Sequence, residues 1–235
     1  MHIISQLLLV VPLAIAPGVA IAFFIYFRDK FEKEPYKLIR NCFLFGLLSI
    51  VPAFIIEFVF GAMGIDENQN TLKTFLYAFL VVGIAEEMSK FLFLRVYAYH
   101  KPDFNEPFDG IVYTIMISMG FTTIENIMYA LKGGTEVALL RMFTAVPLHA
   151  VCAIFMGYYV GKAKFAKHKM TTMLLGIILA ILVHGLYDFF LFQHDIPALA
   201  ILSLVTLGIS IALSFVAINK LRNSSPFRKT SNINK

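Results

Sequence analysis

Long apolar stretches alternate with short charged connectors along this chain. A helix needs about 20 mostly apolar residues to cross a bilayer, and seven stretches of about that length follow one another, over residues 2–27, 42–64, 72–99, 111–131, 137–161, 170–192 and 197–219. They are too long for strands and lack the alternation of polar and apolar positions that strands show. The pattern therefore predicts an all-α, polytopic transmembrane helix bundle with about seven spans.

The connectors are too short to fold as a separate soluble domain. We therefore expect one transmembrane helical domain over residues 1–222 and a basic tail over residues 223–235. The first stretch follows no basic segment and is long enough to span, so we expect a membrane helix there and not a cleaved signal peptide.

Composition supports the same class. Hydrophobic residues make up 59% of the 235 residues and charged residues 15%, with a mean hydropathy of +0.76, whereas soluble domains carry about 25% charged residues. This composition excludes a water-soluble globule, a disordered chain and a nucleic-acid-binding protein. The expected surroundings are a lipid bilayer. Cys42 and Cys152 have no metal-type spacing, so we expect small buried hydrophobes there.

The basic residues indicate the orientation, because cytoplasmic connectors are enriched in Lys and Arg. Sixteen of the 20 lie on one side of the predicted spans: Arg28, Lys30, Lys33, Lys37, Arg40, Arg95, Lys101, Lys162, Lys164, Lys167, Lys169, Lys220, Arg222, Arg228, Lys229 and Lys235. The other side receives Lys73, Lys132 and Arg141, and Lys90 lies inside a span. We therefore predict the N-terminus outside, the C-terminus in the cytoplasm and a multi-pass protein of the cell membrane.

Several ionisable residues lie inside the apolar stretches, where each costs about 2.5–3.5 kcal/mol on insertion scales. They are Glu57, Glu86, Glu87, Lys90, Glu125, His149, His184 and Asp188. Because lipid cannot solvate them, they must face each other or water inside the bundle. Counted from the predicted outer ends of their spans, five of them fall within a band roughly 10 Å tall in the outer half: Glu86, Glu125, His149, His184 and Asp188. Glu57, alone in its span, is a structural or access-path residue.

Glu86 and Glu87 lie four and three residues before Lys90, which are both contact spacings on a helix. The structural alternative is an ion pair between Lys90 and one of the two glutamates, but this leaves the second carboxylate without a counter-charge. We expect Lys90 to hold one carboxylate ionised while the other is desolvated, a separation that suits general acid–base catalysis.

Three further pieces carry polar groups at helical spacing. Glu125 and Asn126 either belong to a functional site or form a polar contact between helices. His149 is either a functional-site residue or a core histidine whose hydrogen bonds are satisfied. The following Gly157 and Gly161 predict close helix packing. His184 and Asp188 are one turn apart, so that the carboxylate can fix the imidazole tautomer.

Carboxylates and imidazoles around a water suggest water activation for amide hydrolysis. The chain has no serine elbow, no aspartyl motif of the Gly-x-Gly-Asp type and no His-Glu-x-x-His motif. A divalent metal stays open, because Glu and His suit zinc although the spacing is not the usual one. A proton-coupled transporter and a non-catalytic membrane scaffold are the alternatives.

Taken together, the motifs resemble those of the PrsW family of bacterial intramembrane proteases, which is related to the type II CAAX prenyl proteases. The resemblance covers roughly residues 26–190. It rests on Glu-Glu-x-x-Lys, Phe-x-x-x-Glu-Asn, His before Gly-x-x-x-Gly and His-Gly-x-x-Asp, and on two acidic segments, at residues 29–35 and 106–110.

The resemblance implies a glutamate-dependent membrane endopeptidase that cuts a membrane-anchored protein, such as an anti-sigma factor, near the external face. Its catalytic residues would be Glu86, Glu87, Glu125, His149, His184 and Asp188, supported by Lys90 and Asn126. No cofactor is expected, the metal question stays open, and no pattern in the chain indicates an oligomeric state.

Overall fold

A computed structural model describes residues 2–66, 70–193 and 196–228. The described residues form helices and no strands. In chain order the α-helices are α1 (His2–Arg28), α2 (Tyr36–Ala62), α3 (Thr71–Leu76), α4 (Ile84–Phe93), α5 (Asp109–Phe143), α6 (Ala145–Phe165), α7 (Lys169–Leu191) and α8 (Ala200–Asn223). The fold class is thus the predicted all-α bundle. The basic residues Lys229 and Lys235, predicted to be cytoplasmic, lie outside the described residues.

The seven apolar stretches are mostly helical, but the fifth, 137–161, is divided by a turn at Thr144 between the end of α5 and the start of α6. The third is continuous from α3 through α4 because π-helical segments, Tyr77–Gly83 and Leu94–Ala98, join and extend them. Among the described residues, five helices are long and apolar enough to cross a membrane, and one of these, Asp109–Phe165, is the 57-residue run of α5 and α6. The number of spans and the orientation stay predictions.

The helices α5 and α6 form the centre of the bundle. Most of their residues are buried, whereas the outer helices expose apolar side chains along their length, as lipid-facing helices do. Cys42 and Cys152 are buried and free, as predicted.

Glycines let α5 and α6 approach closely. A Cβ at Gly157 would collide with the carbonyl oxygen of Gly110, and one at Gly161 with that of Pro107. The close packing predicted at Gly157 and Gly161 is therefore confirmed, and it brings the backbone of α6 against the start of α5.

Three connectors meet at one end of the bundle, which we call the connector end. Tyr113 near the start of α5 donates to the carboxylate of Glu34, between α1 and α2. Lys164 near the end of α6 donates to the carbonyl oxygen of Tyr99, 2.5 Å away, just after the second π-helical segment. This end carries most of the basic connectors and is the predicted cytoplasmic face.

The glycine contact gives a stability prediction. Gly157→Ala should lower the free energy of unfolding by about 1–3 kcal/mol, because the added methyl group overpacks the α5–α6 contact. Thermal unfolding of the purified protein in detergent measures this.

Gly208→Ala is the matched control, since a Cβ there meets no atom within 4 Å, and it should leave stability unchanged or slightly raised. Equal unfolding midpoints for the two variants would contradict the assigned packing.

Candidate active site

The helix α4 presents an ammonium group between two carboxylates. Lys90 Nζ lies 3.1 Å from Glu86 Oε2 and 2.8 Å from Glu87 Oε1, and all three side chains are buried. We expected Lys90 to pair with one carboxylate, but it contacts both. The π-helical segments on either side of α4 are a feature that is frequent at functional sites.

His149, on α6, extends this cluster. Its Nδ1 lies 3.0 Å from Lys90 Nζ and its Nε2 lies 2.7 Å from Glu125 Oε2. Because an ammonium group only donates, Nδ1 accepts from Lys90 and Nε2 donates to Glu125. The ring of Phe121 covers the ammonium, with its centroid 4.2 Å from Nζ.

His184, on α7, closes the cluster on the other side. Its Nδ1 lies 2.8 Å from Glu87 Oε1, and its Nε2 lies 3.2 Å from Asp188 Oδ2 and 4.0 Å from Glu86 Oε2. The His184–Asp188 contact was predicted from their spacing. Both ring nitrogens face carboxylate oxygens, which suits an imidazolium that donates at both positions.

Arg141 is a member of the cluster that the sequence reasoning missed, because it was counted with the external basic residues. Its Nη2 lies 2.8 Å from Glu125 Oε1, its Nε donates to Asn126 Oδ1 at 2.7 Å, and its guanidinium stacks over Tyr129. The chain can return here because Gly134, with a φ of 73°, interrupts α5, a conformation that glycine adopts readily. An arginine in an apolar run soon after two glycines was the available signal.

A cavity of about 520 Å³ opens beside the cluster. It is bordered by α2, α5, α6, α7, α8 and the segment around α4, and its charged or imidazole lining residues are Glu57, Glu86, Glu125, Lys132, Arg141, His149, His184 and Asp188. Glu57, left aside as a structural or access-path residue, therefore faces the same space. Most of the remaining lining side chains are apolar.

The two adjacent glutamates differ in their access to this cavity. Glu86 lines it and has 5% of its surface exposed, whereas Glu87 is fully buried and holds Lys90 and His184. Every predicted site residue thus lies in one connected cluster, with Glu87 and Lys90 behind Glu86 and with Asn126 reached through Arg141.

Comparison with known proteins identifies the family to which the chain belongs. The model of a family described as the PrsW family intramembrane metalloprotease matches residues 34–218, most of the chain. The chain belongs to the PrsW family. It is therefore a membrane peptidase, and its apolar helices make it a multi-pass membrane protein.

Relatives named protease PrsW cover most of the chain. The protein of Shouchella clausii is 37% identical over 217 residues, which is 91% of this chain and 96% of that protein. The protein of Geobacillus kaustophilus is 38% identical over 77% of this chain and 79% of its own length. That of Bacillus subtilis is 33% identical over 77% and 82%. No solved structure matches the chain.

The family description implies a bound metal ion, so we asked whether the side chains of the cluster could bind one. Glu86, Glu87, His149 and His184 offer ligand atoms within 4.8 Å of one another, and imidazole and carboxylate are ligands that zinc accepts. One further oxygen, Glu87 Oε2, is buried without a hydrogen-bond partner. By residue type, the set fits a zinc ion.

The position of Lys90 conflicts with that fit. Its Nζ lies 2.8 Å from Glu87 Oε1, so an ion bound to that oxygen at about 2.1 Å would lie within about 5 Å of the ammonium. Repulsion between a dication and an ammonium at that distance is on the order of 6 kcal/mol at an effective dielectric constant of 20. A zinc ion does not fit beside a charged Lys90 in this arrangement.

The buried ammonium gives a second prediction. Lys90→Met should cost about 3–5 kcal/mol of unfolding free energy, because it leaves two adjacent buried carboxylates without a counter-charge. Lys132→Met removes an exposed lysine near the same cavity and should change stability little. Thermal unfolding in detergent compares them, and a Lys90→Met protein as stable as wild type would contradict the assigned ion pairs.

Proposed function

We propose that this peptidase hydrolyses a peptide bond of a membrane-anchored protein, such as an anti-sigma factor, near the external face of the bacterial cell membrane. A water molecule activated by the Glu/His cluster would be the nucleophile. The observation that carries the proposal is the position of Glu86, which combines deep burial and a lysine contact with access to the cavity.

Glu86 is the general base of the proposed reaction. It takes a proton from the water as the water oxygen bonds to the carbonyl carbon, and it returns that proton to the amide nitrogen as the carbon–nitrogen bond breaks. A positioned acid–base group of this kind contributes about 10²- to 10⁴-fold to the rate. Glu87 and Lys90 hold Glu86 in place from behind.

The positive charge of His184 stabilises charge on the carbonyl oxygen. His184 lines the cavity, and its Nε2 lies 4.0 Å from Glu86 Oε2; as an imidazolium held by Glu87 and Asp188 it places a fixed positive charge beside a developing oxyanion. On the other side, His149 is held through Glu125 by Arg141, so both rings have fixed orientations.

Hydrolysis requires that the scissile carbonyl of the substrate is accessible. In an α-helix each backbone carbonyl oxygen accepts a hydrogen bond from the N–H group four residues further along the chain. A membrane-anchored substrate would therefore bind as a locally extended segment, which exposes the scissile carbonyl.

Reconstituted protein and a membrane-anchored substrate test the proposed base. Glu86→Gln should reduce cleavage by at least about 100-fold while unfolding near the wild-type temperature, because the substitution keeps the shape of the side chain. Glu87→Gln and His184→Ala should also reduce cleavage, with a larger loss of stability because each breaks the buried ion pair between Glu87 and His184.

The control is Glu136→Gln, which neutralises an exposed acid and should cleave like wild type. Wild-type cleavage by Glu86→Gln would contradict the assignment of the base, and full activity in Glu86→Gln, Glu87→Gln and His184→Ala would overturn the whole proposal.

A further inference from the structure

A second group of carboxylates lies at the connector end, away from the peptidase site. Asp29 and Glu34 come from the α1–α2 connector, and Glu106 and Asp109 come from the segment that starts α5. Each of the four side chains has no more than 3% of its surface exposed. We call these four residues the acidic cluster.

The acidic cluster lacks a cation that would balance it. Within the described part of the chain, none of its members forms an ion pair with a basic side chain. Burial raises the pKa of Asp29 and the charge of Lys33 lowers it, but the Lys33 ammonium donates to the backbone carbonyl oxygens of Tyr26 and Asp29.

Several of the carboxylate oxygens are buried without any hydrogen-bond partner. Both oxygens of Asp29, Oε2 of Glu106 and Oδ1 of Asp109 are in this state. Buried polar atoms in folded proteins are almost always partnered, and an unpaired buried carboxylate is among the most costly groups to leave so. These oxygens therefore indicate a missing ligand.

Other carboxylate oxygens of the acidic cluster accept hydrogen bonds that fix the positions of Glu34 and Asp109. Asp109 Oδ2 accepts from the backbone N–H groups of Asn105 and Glu106, at 2.8 Å each. Glu34 accepts from Tyr113 and lies close enough to Asp109 for their carboxyl groups to interact directly. The surrounding structure thus holds Glu34 and Asp109 side by side.

We propose that the acidic cluster binds a hydrated Mg²⁺ ion, which ties the α1–α2 connector to the start of α5. Among the described residues, only the intramembrane group has three or more acidic, histidine or cysteine ligand atoms within 4.8 Å of one another. An ion at the acidic cluster would therefore have at most two carboxylate ligands from separate residues and would keep several waters, and Mg²⁺ is usually bound in this way, through one or two carboxylates.

Protonation is the competing way to neutralise the cluster. Without a cation, burial and the neighbouring carboxylates raise the pKa of Asp29 to about 7 and that of Glu34 to about 11. A carboxyl group whose pKa is raised by folding stabilises the protein at low pH, and this stabilisation is lost as the pH rises through the raised value. The two alternatives therefore respond differently to Mg²⁺ and to pH.

Thermal unfolding of the full-length protein in detergent separates them. After treatment with a chelator at a pH above 7, millimolar Mg²⁺ should raise the unfolding midpoint by about 5 °C or more if it saturates the site. Asp29→Asn should unfold at a higher temperature than wild type in chelator, because it removes a charge from the cluster, and both Asp29→Asn and Glu34→Gln should lose most of the Mg²⁺ effect.

Two controls locate the ion. Glu136→Gln, at an exposed acid outside the cluster, and Glu86→Gln, at the peptidase site, should both keep the Mg²⁺ shift. Loss of the shift in Glu86→Gln, or an undiminished shift in Asp29→Asn, would overturn the assignment. The assignment would also be overturned if Mg²⁺ left the unfolding midpoint of the wild-type protein unchanged and only a lower pH raised it.

Discussion

The contact of one ammonium group with two adjacent carboxylates and an imidazole organises the intramembrane site. Lys90 touches Glu86, Glu87 and His149 at 2.8–3.1 Å. In a segment predicted to lie in lipid, none of these groups could be buried alone at an acceptable cost. Because the ammonium comes from the same helix as both carboxylates, α4 alone brings the three groups within reach of one another, and the other helices add their polar groups around them.

The packing of the bundle then decides which carboxylate faces the cavity. Adjacent residues on a helix point about 100° apart, so that Glu86 turns towards the cavity and Glu87 towards His184. The close contact of α5 with α6, made possible by Gly157, holds His149 and Glu125 on the facing side. A single short sequence thus supplies both a proposed base and its support.

Much of this could be predicted from the sequence because it depends on local spacing. Apolar length predicted helices at all seven stretches, and the four-residue spacing of His184 and Asp188 predicted their contact. The role of Arg141 could not be predicted in the same way, since it depends on a turn at Gly134 that folds a later segment back over Glu125. That Lys90 contacts both carboxylates depends on side-chain geometry that spacing does not determine.

The acidic cluster shows the same limit. The sequence indicates its two segments only through a family resemblance, and it does not predict that they meet, because Asp29 and Asp109 are separated by 80 positions. Their burial together is a consequence of how α1, α2 and α5 pack at the connector end. The molecule thus carries two groups of buried acids, one balanced by its own lysine and one that lacks a basic partner among the described residues.

We infer that the cation of the intramembrane site is the ammonium of Lys90. An experimental structure of the wild-type protein, with anomalous scattering data collected at the zinc edge, tests it most directly. We expect no anomalous peak among Glu86, Glu87, His149 and His184, and Lys90 Nζ about 3 Å from both carboxylates. A zinc peak bound by these four residues, with Lys90 turned away, would contradict it.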